Sequence, residues 1–220
     1  MAPFGKIYSY PNNYRVNRVL LVAAMNGLEI ELPPFTMRET NKTPEFLAKF
    51  PLGKVPAFEG ADGFCLTESP AIAAYVAQAG PKAGQLLGTD PKTQALIQQW
   101  SAFSEGEMFS CIFPPIAMGV MNYMPMDEKR FNSSMADVER VFKRLEVALE
   151  GGKKYLVGDS LTLADIMVTG PFFLAFKHLI DAEMRKQLPN VVAYAQAFAN
   201  VPEHKKLYGE LEMCETRVKV

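Results

Sequence analysis

The sequence predicts a two-domain protein, with an α/β domain at the N-terminus (1–80) and an all-helical domain after it. Three observations support this prediction. Short β-type runs alternate with helical runs over the first 80 residues, a segment rich in Gly, Pro and Lys follows at 81–92, and residues 93–220 show helical periodicity without a convincing strand. We therefore interpret 81–92 as a linker between a sheet domain and a helical domain.

The first domain is predicted to begin with a βαβ unit. "GKIYSY" (5–10) has strand composition, and "YRVNRVLLVAAMNG" (14–27) carries apolar residues at helical spacing and ends in a glycine suited to a C-cap. The alternating "LEIELPPF" (28–35) predicts the second strand. Thr43 and Pro44 then have the composition of an N-cap and a first helical position, so a second helix is expected from there.

The same domain is predicted to end with a β-hairpin and a helix. Asp62-Gly63 lies between two apolar runs, which is a hairpin signal, and Ser69-Pro70 begins the helix "PAIAAYVAQAG". The predicted order is therefore βαβ, a short helix, two strands and a helix.

The second domain is predicted from apolar residues that recur at helical spacing. Asp90-Pro91 supplies an N-cap and a first turn for its first helix. In "YLVGDSLTLADIMV" (155–168), Thr162 and Asp165 have the spacing of a capping box, with Asp in place of the usual Glu. This box predicts the start of a buried helix, and we assign it no catalytic role.

The composition excludes several classes of function. There are 23 Lys and Arg against 24 Asp and Glu, without a long run of one sign, so neither nucleic acid nor an anionic membrane is an expected partner. Three widely spaced cysteines and the lack of a signal segment predict a cytoplasmic protein with reduced thiols. The two histidines lie apart from possible co-ligands, so no metal is expected. A small, near-neutral ligand fits best.

Two features within 55–69 predict a binding site for a short zwitterionic peptide. Pro56 cannot donate to a strand ladder, so it must lie at the edge or start of a strand, and a cis bond there would expose the backbone of Val55 to a peptide-like ligand. The helix start at Ser69 directs N–H groups, a hydroxyl and a dipole toward the same area, which suits a carboxylate. Glu68 can accept from an ammonium group.

The stretches "GKVPAFEG", "GFCLTESPAIAAYVA" and "YLVGDSLTLADI" resemble the glutathione transferase family, and the resemblance covers nearly the whole chain. Within the family, "TNKTPEFLAKFPLGKVPAFEGADGF" is similar to the transferase-like domain of the gamma subunit of elongation factor one-B, and to related fungal transferases. The resemblance implies a thioredoxin-like N-terminal domain, an all-helical C-terminal domain, a homodimer, and glutathione as co-substrate in a cleft facing the second domain.

The resemblance also implies roles for single residues. Val55 would hold the cysteinyl part of glutathione through its backbone, and Pro56 would be the cis-proline. Glu68 and Ser69 would hold the γ-glutamyl end. Two lysines fall where family members bind the glycine carboxylate or nearby backbone: Lys42 and Lys54.

The residue that activates the thiol is open between several candidates. The family uses a Tyr, Ser or Cys just after the first strand, but "YSYPNNYRVNR" lacks the usual Ser-Pro pattern. Alignment on the helix favours Asn13 or Tyr14, whereas alignment on the strand end favours Tyr8, Ser9 or Tyr10. A free thiol with a pKa of about 8.5 is only a few per cent thiolate at pH 7, so the activating group must favour the anion. We expect Tyr14 to be that group.

Two functions of different classes follow. The first is a glutathione S-transferase that conjugates the glutathione thiolate to a small apolar electrophile, bound against helices from Trp100 to Met126. Flexible methionines and aromatic residues in 107–126 suit such a promiscuous apolar pocket. The alternative is an assembly domain of the elongation factor subunit, which binds the nucleotide-exchange partner with little or no catalysis. We expect the enzyme.

Overall fold

The computed structural model describes residues 2–219, which form two compact units that divide between Thr89 and Asp90. The first unit contains a four-stranded sheet and helices, and the regular elements among the described residues of the second unit are all helices. The predicted fold class is therefore confirmed. Within residues 2–219, no helix has both the length and the apolar character needed to cross a membrane.

The sheet of the first unit has the strand order β2-β1-β3-β4. Strand β1 (Gly5–Tyr8) pairs in parallel with β2 (Ile30–Glu31) and antiparallel with β3 (Ala57–Gly60). Strand β4 (Cys65–Thr67) pairs antiparallel with β3, so the predicted hairpin is confirmed. Strand β2 is shorter than the predicted 28–35 because the two prolines that follow it have no N–H to donate to a ladder.

The helices of the first unit follow the predicted order with two additions, a 3-10 turn before the second helix and a short helix inside the predicted linker. They are α1 (Tyr14–Asn26), a 3-10 turn (Thr40–Lys42), α2 (Pro44–Lys49), α3 (Ser69–Gln78) and α4 (Ala83–Leu87). Helix α4 packs against α3, and its Leu86 is fully buried, so the first part of 81–92 belongs to the first compact unit.

Helix α1 packs against α3, and its ends are determined by local signals. The Asn13 side chain accepts a hydrogen bond from the Arg15 backbone N–H and caps the first turn. Gly27, with a φ of 66°, ends the helix in the left-handed conformation that glycine adopts without steric cost. The predicted helix therefore starts and stops where its sequence indicated.

The second unit is built around a buried helix whose start was predicted. The capping box forms as expected, because Asp165 accepts from the Thr162 backbone N–H at 2.9 Å while the Thr162 side chain accepts from the third helical N–H. Asp165 also accepts from the Tyr194 hydroxyl at 2.7 Å. The helical elements are α5 (Pro91–Phe103), a π-helical segment (Ser104–Phe109), α6 (Ser110–Gly119), α7 (Glu128–Ala148), α8 (Leu163–His178), α9 (Ala182–Lys186), α10 (Pro189–Ala199) and α11 (Pro202–Tyr208).

Candidate functional site

Three strand ends meet at one end of the sheet in the first unit. The last residue of β1, the first of β3 and the last of β4 are paired with one another across the ladder. Ser9, Pro56 and Glu68 are the next residues outward from those ends, so they lie at the same end of the sheet. The strand register thus places the Pro56 and Glu68 segments in one area, as the sequence predicted, and adds the segment that follows β1.

The Val55–Pro56 peptide bond is cis, as the sequence predicted. Pro56 is buried, whereas Val55 is half-buried and packs against a core cluster formed by Phe46, Phe50 and Ala57. Among residues 2–219, the Val55 backbone makes no hydrogen bond outside the strand pairings. These are the backbone groups that pairing with an extended peptide requires.

Glu68 and Ser69 form the start of α3. Glu68 is the N-cap residue, and its φ of 64° is uncommon for a residue other than glycine. Its side chain makes no capping hydrogen bond and is exposed. Ser69 is only 2% exposed, and its Oγ accepts from Arg18 Nη1 at 3.4 Å. The start of α3 thus carries an exposed carboxylate on Glu68 and a buried hydroxyl on Ser69 that is bound to Arg18.

A buried asparagine links the segments that carry the two predicted lysines. Asn41 Nδ2 donates to the Gly53 carbonyl at 2.7 Å, and Asn41 Oδ1 accepts from the Arg38 N–H at 2.6 Å. Gly53 has a φ of 57°, and a Cβ there would lie 2.9 Å from the Asn41 carbonyl oxygen. Lys42 and Lys54 extend from these joined segments, and both are exposed. The hydrogen bond from Asn41 to Gly53 thus holds together the two segments that carry Lys42 and Lys54.

The segment after β1 is organised by Asn13. Besides capping α1, Asn13 donates through Nδ2 to Ser9 Oγ at 2.9 Å, and it is 3% exposed. Because the Ser9 oxygen accepts this bond, its hydroxyl hydrogen can be donated to another group. Ser9 is half-buried, whereas Tyr10 is 41% exposed. A hydrogen bond therefore joins Ser9 and Asn13, two of the five candidates for the thiol-activating residue.

The remaining tyrosines contact other partners. The Tyr14 ring lies 4.9 Å from the Arg15 guanidinium carbon and 5.0 Å from that of Arg18, and its hydroxyl oxygen is buried. The Tyr8 hydroxyl donates to Glu59 at 3.0 Å. The hydrogen bond from Lys49 to Glu59 is the largest cause that lowers the pKa of that carboxyl. The Tyr8 hydroxyl thus belongs to a hydrogen-bond network with Glu59 and Lys49.

Two residues of this region escaped the sequence analysis. Asn41 lies between the predicted second strand (28–35) and the helix expected from Thr43, and nothing in its immediate sequence predicts its bond to Gly53. Arg18 had a usable signal, because it precedes the buried Leu21 and Val22 by three and four residues and so belongs to the buried face of α1. An arginine on such a face needs a partner, and Ser69 is one.

Comparisons with known proteins agree with this architecture. Two family descriptions match, "Glutathione S-transferase, N-terminal domain" over residues 3–78 and "Glutathione S-transferase, C-terminal domain" over residues 107–202. "Glutathione S-transferase-like protein LUC7" of Fusarium sp is 45% identical over 217 residues, which are 99% of this chain and 98% of that protein. "Elongation factor 1-gamma-A" of Xenopus laevis is 37% identical over 219 residues, which are 96% of this chain and 48% of that protein.

A solved structure has the same fold over its full length. The GST-like domain of elongation factor 1-gamma from Saccharomyces cerevisiae matches with a TM-score of 0.84 and 25% identity, and the match covers 99% of both chains. The resemblance stated from the sequence, to fungal transferases as well as to the elongation factor subunit, is confirmed by these matches.

Proposed function

Because the chain belongs to the glutathione S-transferase family, we propose that it binds glutathione in its first unit and conjugates the thiolate to a small apolar electrophile. The observation that carries this proposal is the meeting of the cis Val55–Pro56 bond and the Glu68-Ser69 helix start at one end of the sheet. A γ-glutamyl tripeptide offers a peptide backbone to the first and a charged amino-acid end to the second.

Each end of the ligand has a chemically suitable group in this arrangement. The Val55 backbone pairs with the cysteinyl residue. The exposed Glu68 carboxylate accepts from the γ-glutamyl ammonium, and the Ser69 hydroxyl donates to its carboxylate. Lys42 and Lys54 supply positive charge for the glycine carboxylate. The tripeptide is thus held at three points.

The thiol is activated, in this proposal, by the Ser9 hydroxyl that Asn13 orients. The sequence-based expectation was Tyr14, but its buried hydroxyl and its ring contacts with two arginines favour a packing role. A hydroxyl hydrogen bond stabilises a thiolate over a thiol, and about 1.4 kcal/mol of such preference lowers the pKa by one unit. The thiol proton passes to solvent, the sulfur attacks the electrophilic carbon, and the leaving group departs with its electron pair.

Exposed apolar side chains in the second unit support an apolar second substrate. Val120, Met121, Tyr123 and Met126 follow α6, and all four are exposed. Flexible methionines beside aromatic rings adapt to ligands of different shape. We therefore propose a broad range of small apolar electrophiles instead of one metabolite. We also propose that the protein forms a homodimer and is located in the cytoplasm, as expected from the sequence.

Calorimetry and a melting assay test the first step of this function. We expect glutathione to bind with micromolar to millimolar affinity and to raise the melting temperature by mass action. Conjugation is followed with an aryl chloride activated by two nitro groups. The absence of both a heat signal and a melting shift at millimolar glutathione would refute the proposal.

An assembly role is the second candidate, and it is proposed because the chain is similar to elongation factor 1-gamma. In that role the chain binds the nucleotide-exchange partner of the elongation factor with little or no catalysis. Sedimentation of the chain mixed with the exchange subunit tests this directly. Complex formation without conjugation would favour the assembly role, and conjugation without a complex would favour the enzyme.

A further inference from the structure

Arg18 is a buried cation that lies directly behind the proposed γ-glutamyl site. Its side chain is 0% exposed, and its Nη1 donates to Ser69 Oγ at 3.4 Å. The two residues belong to different helices, α1 and α3, which pack against each other. A guanidinium carries donors only, so in this contact the serine oxygen must be the acceptor.

We propose that Arg18 is a positioning residue that fixes the Ser69 hydroxyl as a hydrogen-bond donor to the ligand's γ-glutamyl carboxylate. A hydroxyl has one hydrogen and two lone pairs, and Arg18 occupies one lone pair. The hydrogen is then directed away from Arg18, toward the ligand side of the helix start. This inference rests on the proposed function, because it concerns how the same glutathione site selects a carboxylate.

The start of α3 depends on this hydroxyl more than an ordinary helix start would. Pro70, the second residue of α3, has no N–H, so the first turn presents one backbone donor fewer to an anion. The hydroxyl replaces that donor, and the buried guanidinium adds positive charge one hydrogen bond behind it. Charge-assisted bonds are about twice as strong as neutral ones, and they are strongest where water is excluded.

A second contact, with the Tyr14 ring, also restrains Arg18. Its guanidinium carbon lies 5.0 Å from the centre of the Tyr14 ring, a distance typical of a cation–π contact. Tyr14 thus has a defined role in this scheme, as the aromatic wall that keeps Arg18 near Ser69. The same contact explains why the Tyr14 ring faces arginine side chains.

Calorimetry with two ligands tests the inference on the full chain. The ligands are glutathione and γ-aminobutyryl-cysteinylglycine, which lacks only the γ-glutamyl carboxylate. The variants are R18M, R18K, S69A and the double variant R18M/S69A. We expect R18M to weaken glutathione roughly tenfold and the analogue less than twofold, and R18K to restore most of the glutathione affinity.

The double variant separates positioning from packing. If Arg18 acts through Ser69, R18M changes glutathione affinity less than threefold in the S69A background, since the two effects are not additive. Circular dichroism confirms that each variant is folded. If R18M does not fold, R18Q replaces it, because Gln keeps a hydrogen-bond donor but loses the charge. We expect the glutathione affinity of R18Q to lie between those of R18K and S69A.

Two results would overturn the inference. One is an equal loss of affinity for both ligands in R18M or R18Q, and the other is full additivity with S69A. Either would leave Arg18 as a packing residue while glutathione binding stands. A wild-type chain that does not bind glutathione at all would instead overturn the proposed function, and this inference with it.

Discussion

A serine hydroxyl is held by a buried side chain near the start of both α1 and α3, but the side chain differs between the two helices. In each, a serine oxygen accepts a hydrogen bond from a buried side chain, Ser9 from Asn13 at 2.9 Å and Ser69 from Arg18 at 3.4 Å. The partner is a neutral amide at α1 and a guanidinium at α3. A hydroxyl held by a neutral amide can donate to a thiolate, whereas a guanidinium adds positive charge behind a hydroxyl that donates to a carboxylate.

In the proposed function, the two serines have different roles because different side chains donate to them. Removing the Ser9 hydroxyl should lower the rate of conjugation, whereas removing the Ser69 hydroxyl should lower the affinity for glutathione. The following variants test this difference, from the largest expected effect to the smallest.

The largest effect is expected from Ser9→Ala. Loss of one donor to a developing anion costs on the order of a hundredfold in rate, so conjugation at pH 7 should fall by about that factor while the dissociation constant of glutathione changes less than threefold. Steady-state kinetics and calorimetry give the two numbers. The rate should recover at higher pH, where more thiol is ionised without help.

Tyr14→Phe is the matched control for this variant. It removes a hydroxyl from the same segment but keeps the ring that contacts Arg15 and Arg18. We expect less than a threefold loss of rate. A large loss in Tyr14→Phe together with an active Ser9→Ala enzyme would restore the sequence-based choice of Tyr14 and remove the parallel between the two helix starts.

Ser69→Ala should show the opposite pattern, with affinity lost and rate at saturating glutathione retained. Removing one hydroxyl donor to a carboxylate costs about 1 to 2 kcal/mol, or roughly five- to thirtyfold in affinity. Ser110→Ala, an exposed serine in the second unit, is the control and should bind normally. Unchanged glutathione binding by Ser69→Ala would show that this helix start is only structural.

Glu68→Gln sharpens the assignment of the same helix start. The exposed carboxylate is expected to accept from the ligand's ammonium, so the variant should lose several-fold affinity for glutathione but less for a des-amino analogue. Calorimetry with both ligands measures the difference. Equal losses for the two ligands would place Glu68 outside ammonium recognition.

These two regions also differ in how far the sequence predicted them. At α3, Pro56 restricts the strand backbone and Ser69-Pro70 marks a helix start, so each residue constrains local geometry by itself. At α1, the decisive fact is a bond between Ser9 and Asn13 across a turn in which Asn12 adopts a φ of 59°. Alignment on the strand or on the helix gives different answers because neither predicts how that turn folds.

The sequence also did not predict contacts between segments that are far apart along the chain. The order of strands and helices follows from local patterns, and so does the capping box of α8. The bond from Asn41 to Gly53 and the bond from Arg18 to Ser69 join residues 12 and 51 positions apart. Such pairs depend on how helices and turns pack, which the periodicity of a single sequence does not specify.

Asn13→Ala should produce a mixed effect, because Asn13 both caps α1 and orients Ser9. Loss of the cap should lower the free energy of unfolding by about 1 kcal/mol, and loss of the bond to Ser9 should lower the rate several-fold. Asn13→Ser separates the two, since serine caps a helix well but is too short to replace the amide donor. Normal stability with a reduced rate in Asn13→Ser would support the division of roles.

His204→Phe is expected to have the smallest effect on the two serine sites. It should change the pH dependence of stability without changing glutathione binding or the rate of conjugation. Its ring is fully buried between Phe198 and Tyr208, and within residues 2–219 neither ring nitrogen has a hydrogen-bond partner. Burial lowers the pKa of His204 to about 4, against a small opposing effect of Glu203. The folded state therefore keeps the ring neutral where an unfolded chain, with a pKa near 6.5, would bind a proton.

The contribution of His204 to the free energy of unfolding should therefore be fully present above about pH 6.5 and should be lost as the pH falls toward 4. The loss is at most roughly 1.4 kcal/mol per pH unit, because over that range only the unfolded state binds the extra proton. His204→Phe keeps an aromatic ring in the site and removes the titrating group, so its melting temperature should depend less on pH between 6.5 and 5 than that of the wild type. Identical slopes for the two proteins would contradict the assignment. At pH 7, Ser9→Ala should lower the rate by the same factor in the wild-type chain and in the His204→Phe chain. His204 is neutral at that pH, so its replacement should not change the start of α1.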